Sequence, residues 1–121
     1  MTNESPEEIR ARVGALIGPF PAEVNDTHLD RVRASAGAMW ERDDVSQGLR
    51  SAVTLGVLTA LGAQTELGVH IRRALMQGGL SRAEVGELLR HCSVYAGVPR
   101  ANDALRIAKN VFDTLDAEAG T

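Results

Sequence analysis

The chain has 121 residues, 44% of them apolar and 24% charged, with only four aromatics, Phe20, Trp40, Tyr95 and Phe112. That length accommodates one domain with one core and excludes large two-domain architectures. A net charge of −3 with no run of lysine or arginine argues against nucleic-acid or anionic-membrane partners, whose phosphates are held by clustered cations that displace counterions.

Apolar residues recur three and four apart and β-branched residues never alternate with period two, so the reading is all-α, a single domain over 1–121 with about six helices. Ser5, Pro6 and Glu8 supply a cap, a first-turn proline and a capping-box partner, which predicts a first helix from about Pro6 to Leu16. Pro19-Phe20-Pro21 then reads as an extended link. Thr27, with Asp30 three residues on, is expected to cap a second helix whose stripe is Leu29, Val32, Ala36, Met39 and Trp40, ending near Arg42 before a turn at Asp43-Asp44.

Ser46 is the expected cap of a third helix carrying Leu49, Val53, Val57, Ala60 and Leu61, apolar on nearly every side and therefore expected at the centre of the core, with Gly62 as its stop. Thr65 is expected to open a fourth helix through Leu67, Ile71, Ala74 and Leu75, closed by Gly78-Gly79 and paired with the third as a hairpin. Ser81-Arg82-Ala83-Glu84 forms a capping box for a fifth helix, with Val85, Leu88, Leu89 and Cys92 inward. Gly97-Val98-Pro99 is read as its end, and a last helix is expected from about Arg100 through Ala101, Leu105, Ala108, Val111, Phe112 and Leu115. The longest weakly polar stretch, Ala52 to Ala63, is about half of the roughly 20 residues a membrane span needs. The single cysteine and the lack of a secretory leader pattern make a cytoplasmic location the expectation.

Two pairs at i,i+4 combine titratable groups on one helical face: Glu66 with His70, and His91 with Tyr95. Histidine changes charge nearest neutral pH, and a carboxylate one turn away is expected to raise its pKa and fix its ring, as suits a general acid. From the spacing alone, an ordinary surface pair for Glu66–His70 and a hydrogen-bonded core-edge pair for His91–Tyr95 are the first readings. Arg50, at the start of an otherwise apolar helix, is suited to a bidentate grip on a carboxylate or to a structural salt bridge, while Arg72, Arg73, Arg90 and Arg106 fit a solvated face. Glu66-x-x-x-His70 is not a His-Glu-x-x-His zinc motif and has no cysteine pair beside it, so no metal is expected. Cys92 reads as a small buried hydrophobe.

The run Trp40-x-Arg42, Arg50-Ser51-x-Val53-Thr54, Ala60-Leu61-Gly62 and Glu66-Leu67-x-x-His70, continued by Ala74-Leu75, Gly79-Leu80-Ser81, Glu84-Val85-x-Glu87, His91, Tyr95-Ala96-Gly97-x-Pro99, Ala101 and Ala104, resembles the carboxymuconolactone decarboxylase family over about 40–112. The resemblance implies an all-helical fold shared with the alkyl hydroperoxidase D proteins and a homo-oligomer, trimeric or hexameric. The peroxidase-type branch of that fold uses Cys-x-x-Cys followed by His; with His70 as that histidine, Ala63 and Glu66 stand at the cysteine positions, which excludes disulfide chemistry there. In the decarboxylase branch the implied reaction needs no cofactor: a small carboxylated lactone loses carbon dioxide and a carbon is protonated. Carried over by position, His70 would be the general acid/base, Glu66 its orienter and Arg50 the anion clamp, with His91, Tyr95, Trp40 and Ser51 binding substrate. Asp43-Asp44-Val45 and Gly48-Leu49 depart from the family's usual Pro-Gly-Leu and Arg-Glu; the loss of that Arg and Glu removes charged groups near the implied pocket mouth and widens the substrate to another lactone or keto acid, in aromatic catabolism or in specialised, polyketide-like metabolism. The alternative is a non-catalytic small-ligand-binding or accessory member of the family.

Overall fold

Capping and turn chemistry set most of the element boundaries. In the computed structural model, which describes residues 3–120, Ser5 Oγ accepts from Glu8 N at 3.1 Å while the Glu8 carboxylate accepts from Ser5 N at 2.8 Å, and this capping box opens α1, Pro6–Ile17. The order continues with α2 (Asn25–Val32), a π-helical segment (Arg33–Gly37), α3 (Ala38–Trp40), α4 (Gln47–Leu61), α5 (Gln64–Met76), α6 (Arg82–Tyr95) and α7 (Val98–Ala119). α2, the π segment and α3 run on without a break, so the described residues make six helical stretches and no strand, as the periodicity predicts.

Two compact units make up the chain, Met1–Asp43 and Asp44–Thr121. Within the first, α1 packs on α2. Arg10 donates to both carboxylate oxygens of Asp30 at 2.8 Å, and Leu29 is buried so close to Gly14 that a Cβ there would lie 3.3 Å from its Cδ1. Thr27 does not cap α2: the helix begins two residues earlier, and the Thr27 hydroxyl donates back to Val24 O. The π segment is not foreshadowed by the pattern; its wider turn breaks the 3.6-residue register, leaving Ala36 and Met39 exposed where the expected stripe has them buried and Gly37 half-buried instead, while Trp40, also of that stripe, is half-buried.

In the second unit α4 packs on α5 and α6, and α5 and α6 pack on α7. Ser46 caps α4 by accepting from Leu49 N, and Gly62 ends it in the left-handed conformation at φ 70°. The expected α4–α5 hairpin is present, although α5 starts at Gln64 without a side-chain cap rather than at Thr65. Ser81 and Glu84 form the expected box at the head of α6. Val98 and Pro99 belong to the first turn of α7 and not to a linker, since proline's missing amide costs nothing at a helix start. The core gathers Leu55, Leu67, Ile71, Ala74, Val85, Leu89, Ala104 and Ala108.

One expectation fails outright. The buried side of α4 is Ser51, Leu55 and Thr59, whereas Leu49, Val53, Val57 and Leu61 are 62%, 68%, 51% and 69% exposed. α4 is therefore not enclosed by the core, because only one of its faces meets α5 and α6. No helix among the described residues is long and apolar enough to cross a membrane.

Candidate functional site

α5 carries Glu66, His70 and Arg73 along one flank. Its opposite flank belongs to α7: a Cβ on Gly68 would meet Ile107 at 3.5 Å, and Arg72 makes two hydrogen bonds to the Glu118 carboxylate, at 3.1 and 2.5 Å. The core stripe Leu67, Ile71 and Ala74 lies between the two flanks. His70 is half-buried with its Nδ1 inside the protein, whereas Glu66 is exposed.

This placement reverses one expectation. Burial holds the His70 imidazole below its ordinary pKa of 6.5, Arg73 pushes it down further by repelling the imidazolium, and the attraction of Glu66, which acts the other way, is the smallest of the three influences. The carboxylate therefore does not raise the histidine as its spacing alone suggests. Arg73 is the residue missed by sequence reasoning: assigned to a solvated face, it is half-buried and within electrostatic reach of His70. The signal was its i,i+3 spacing from that histidine.

Arg50 is half-buried on the second turn of α4, its Nε inside the protein. Ser51 beside it is 1% exposed, and its hydroxyl lies 2.7 Å from where a Cβ on Gly78 would stand. His91 and Tyr95 touch through their rings, centroids 5.3 Å apart and tilted by 46°, and Tyr95 is 82% exposed. Trp40 closes α3 in the other unit and is half-buried. Cys92 is half-buried. Two surface cavities are lined by other residues: a groove of about 310 Å³ between α5 and α7, bounded by Gln64, Gly68, Asn110 and Thr114 among others, and one of about 250 Å³ between α1 and α2 around Arg10 and Asp26. Among the described residues no group of three histidine, cysteine or acidic side chains converges as a metal site.

The model of the carboxymuconolactone decarboxylase family matches residues 27–110. The chain belongs to the carboxymuconolactone decarboxylase family. Among its relatives are a 4-carboxymuconolactone decarboxylase of Acinetobacter baylyi, 42% identical over 83 residues, which are 69% of this chain and 61% of the relative, and a nitrosuccinic acid decarboxylase of Metarhizium robertsii, 33% identical over 81 residues, 66% of this chain and 56% of the relative. An uncharacterised 15.0 kDa protein of Paracoccus denitrificans is 32% identical over 84 residues, 68% of this chain and 62% of its own. The matches thus span about three fifths of these relatives' lengths. Glu66, His70, Arg50, Ser51, His91 and Tyr95 all fall within the matched family segment.

Proposed function

We propose that this chain is a decarboxylase that releases carbon dioxide from a small carboxylated lactone or keto acid, with His70 delivering the proton that replaces the lost carboxylate. The observation that carries this reading is the half-buried His70, kept neutral at physiological pH by burial and by Arg73 and placed one turn from Glu66. Two relatives whose names give decarboxylases of different carboxylated compounds support the reaction class.

The chemistry follows from charge. Loss of carbon dioxide leaves an electron pair delocalised toward a carbonyl, and one proton must reach carbon. A neutral imidazole cannot give up a proton as readily as an imidazolium, but an arriving substrate carboxylate adds negative charge beside His70 and raises its affinity for a proton. The histidine would then take up a proton on binding and release it to the carbanionic carbon after the C–C bond breaks. Glu66 would stabilise the imidazolium during that interval, and Arg50 would hold the carboxylate or the developing enolate oxygen.

The test is carbon dioxide release from a panel of carboxylated lactones and β-keto acids. His70→Ala should abolish it on the accepted substrate and Glu66→Gln should lower kcat; full turnover by His70→Ala refutes the assignment. One observation favours the accessory-protein reading instead: Glu66 is exposed, and neither of the two cavities is lined by it or by His70. Ligand binding without turnover across the panel would decide for that reading.

A further inference from the structure

α5 carries two adjacent arginines in different surroundings. Arg72 meets the Glu118 carboxylate of α7 on one flank of the helix. Arg73 lies on the other flank, three residues after His70, a spacing that sets Cβ atoms about 5–6 Å apart. Glu66, the acid of that flank, is two turns away from Arg73, about 10 Å along the axis. The order along the flank is therefore acid, imidazole, guanidinium, with the acid exposed and the other two half-buried.

A cation one turn from a proton donor opposes the imidazolium. The arrangement becomes favourable when an anion enters between the two groups, because a carboxylate can bridge a guanidinium and an imidazolium by charge-assisted hydrogen bonds. The charges acting on the imidazole are those of Arg73 and Glu66. Among the described residues α4 brings one ionisable group, Arg50. α6 and α7 hold most of theirs in pairs, Arg82 with Asp116, Glu87 with Arg90, Asp103 with Arg106 and Lys109 with Asp113, with Glu84 in its capping box, His91 against Tyr95 and Arg100 against Gly62. The proton balance at His70 is thus governed by Arg73 and by any anion that binds beside it.

We propose that Arg73 seats the carboxylate that the reaction removes, directly beside His70, so that binding charges the acid and departure of carbon dioxide releases its proton. The inference rests on the assignment of His70 as proton donor. As the carboxylate arrives, its charge offsets the repulsion from Arg73 and the neutral imidazole takes one proton from solvent. The C–C bond then breaks, its electron pair stays on carbon and is delocalised toward the carbonyl, and carbon dioxide leaves uncharged. With the carboxylate gone, Arg73 again repels the imidazolium, which becomes a stronger acid at the step where the carbanion needs a proton. The imidazolium N–H bond breaks, a C–H bond forms and His70 returns to neutral, with one solvent proton consumed for each carbon dioxide released. A guanidinium also stabilises the carboxylate it holds, so the gain lies in protonation, which commits the carbanion before carbon dioxide can return.

Acetate and succinate, which lack a carbonyl placed to accept the electron pair, serve as probes. In nuclear magnetic resonance titrations either should raise the His70 midpoint, whereas chloride at equal ionic strength should not. Their Kd should weaken about tenfold in Arg73→Gln and be largely restored in Arg73→Lys, with circular dichroism melts showing both variants folded. On the substrate accepted in the carbon dioxide assay, Arg73→Gln should lower kcat about tenfold and move the pH profile of kcat/KM upward, a change that a merely structural loss does not produce. Carboxylates that leave the His70 midpoint unmoved, or move it as far in Arg73→Gln as in the unsubstituted protein, overturn the proposal even where carbon dioxide is released. An Arg73-dependent shift without carbon dioxide release confines the failure to the decarboxylase reading, since the carboxylate seat itself is then demonstrated.

Discussion

Ser51 and Gly78 occupy each other's space: a Cβ on Gly78 would stand 2.7 Å from the Ser51 hydroxyl and 2.9 Å from the Cα of Ala74. The N-terminal half of α4 reaches the turn after α5 only because residue 78 has no side chain. Gly78→Ala should therefore lower stability by about 1–3 kcal/mol, the usual cost of overpacking, read as a reduced urea midpoint with an unchanged slope.

Ser51 yields a second expectation. Its hydroxyl is buried without a hydrogen-bond partner among the described residues, and an unsatisfied buried hydroxyl opposes folding. Ser51→Ala should raise stability by about 1 kcal/mol in the same urea titration. If the serine also binds substrate, the variant will show a higher KM at unchanged or improved stability, a split that packing alone does not produce.

Gly62 ends α4 at φ 70°, and a side chain there would fall onto the guanidinium of Arg100. Gly62→Ala should cost about 1–2 kcal/mol from the left-handed backbone alone, with a further loss from displacing Arg100. Arg100→Ala should be within about 0.5 kcal/mol of neutral, as is usual for an exposed residue. The double variant should then cost less than the sum of the two, because the displaced group is gone.

The depressed pKa of His70 ties stability to pH. When the chain unfolds, the imidazole regains its ordinary value of 6.5, so below that pH the unfolded state binds a proton that the folded state resists. Thermal stability should fall as pH drops from neutral through about 6.5, and His70→Gln should flatten that part of the profile. The ion-paired carboxylates Asp30, Asp116 and Glu118, whose arginine partners hold them below their ordinary values, act in a lower window that starts at the unfolded carboxylate pKa of about 4.

Arg73 can be tested by nuclear magnetic resonance titration of the His70 ring. Arg73→Gln should move the midpoint upward and Glu66→Gln should move it downward, because one neighbour repels the imidazolium and the other attracts it. An unmoved midpoint in Arg73→Gln would leave burial as the sole cause of the shift.

The features legible in the sequence are those decided within a turn of chain. Ser5 and Glu8, Ser46, Gly62, and Ser81 and Glu84 all do what their spacing predicts, because caps and left-handed glycines are local devices. The burial of α4 was not legible for a physical reason. Its true core face carries Ser51 and Thr59, the latter satisfying itself by donating to Leu55 O at 2.7 Å, whereas its most regular apolar stripe faces outward; hydrophobicity alone selects the wrong side. At the candidate site, helical spacing is enough to find the neighbours Glu66 and His70. The direction of the histidine's shift depends on how deeply α5 is covered by other helices, and spacing along one helix carries no information about that.

The α4–α5 hairpin has one further consequence, for how the chain reaches its native state. Its two helices are separated only by Gly62 and Ala63, and α6 and α7, equally close in sequence, share a broad contact. Loops this short are closed at small entropic cost, and structures dominated by such neighbouring contacts fold in microseconds to milliseconds. The 44–121 unit should therefore fold in a fast first-order phase whose rate is independent of protein concentration, with Leu49, Val53, Val57 and Leu61 of α4 still facing solvent once it is complete.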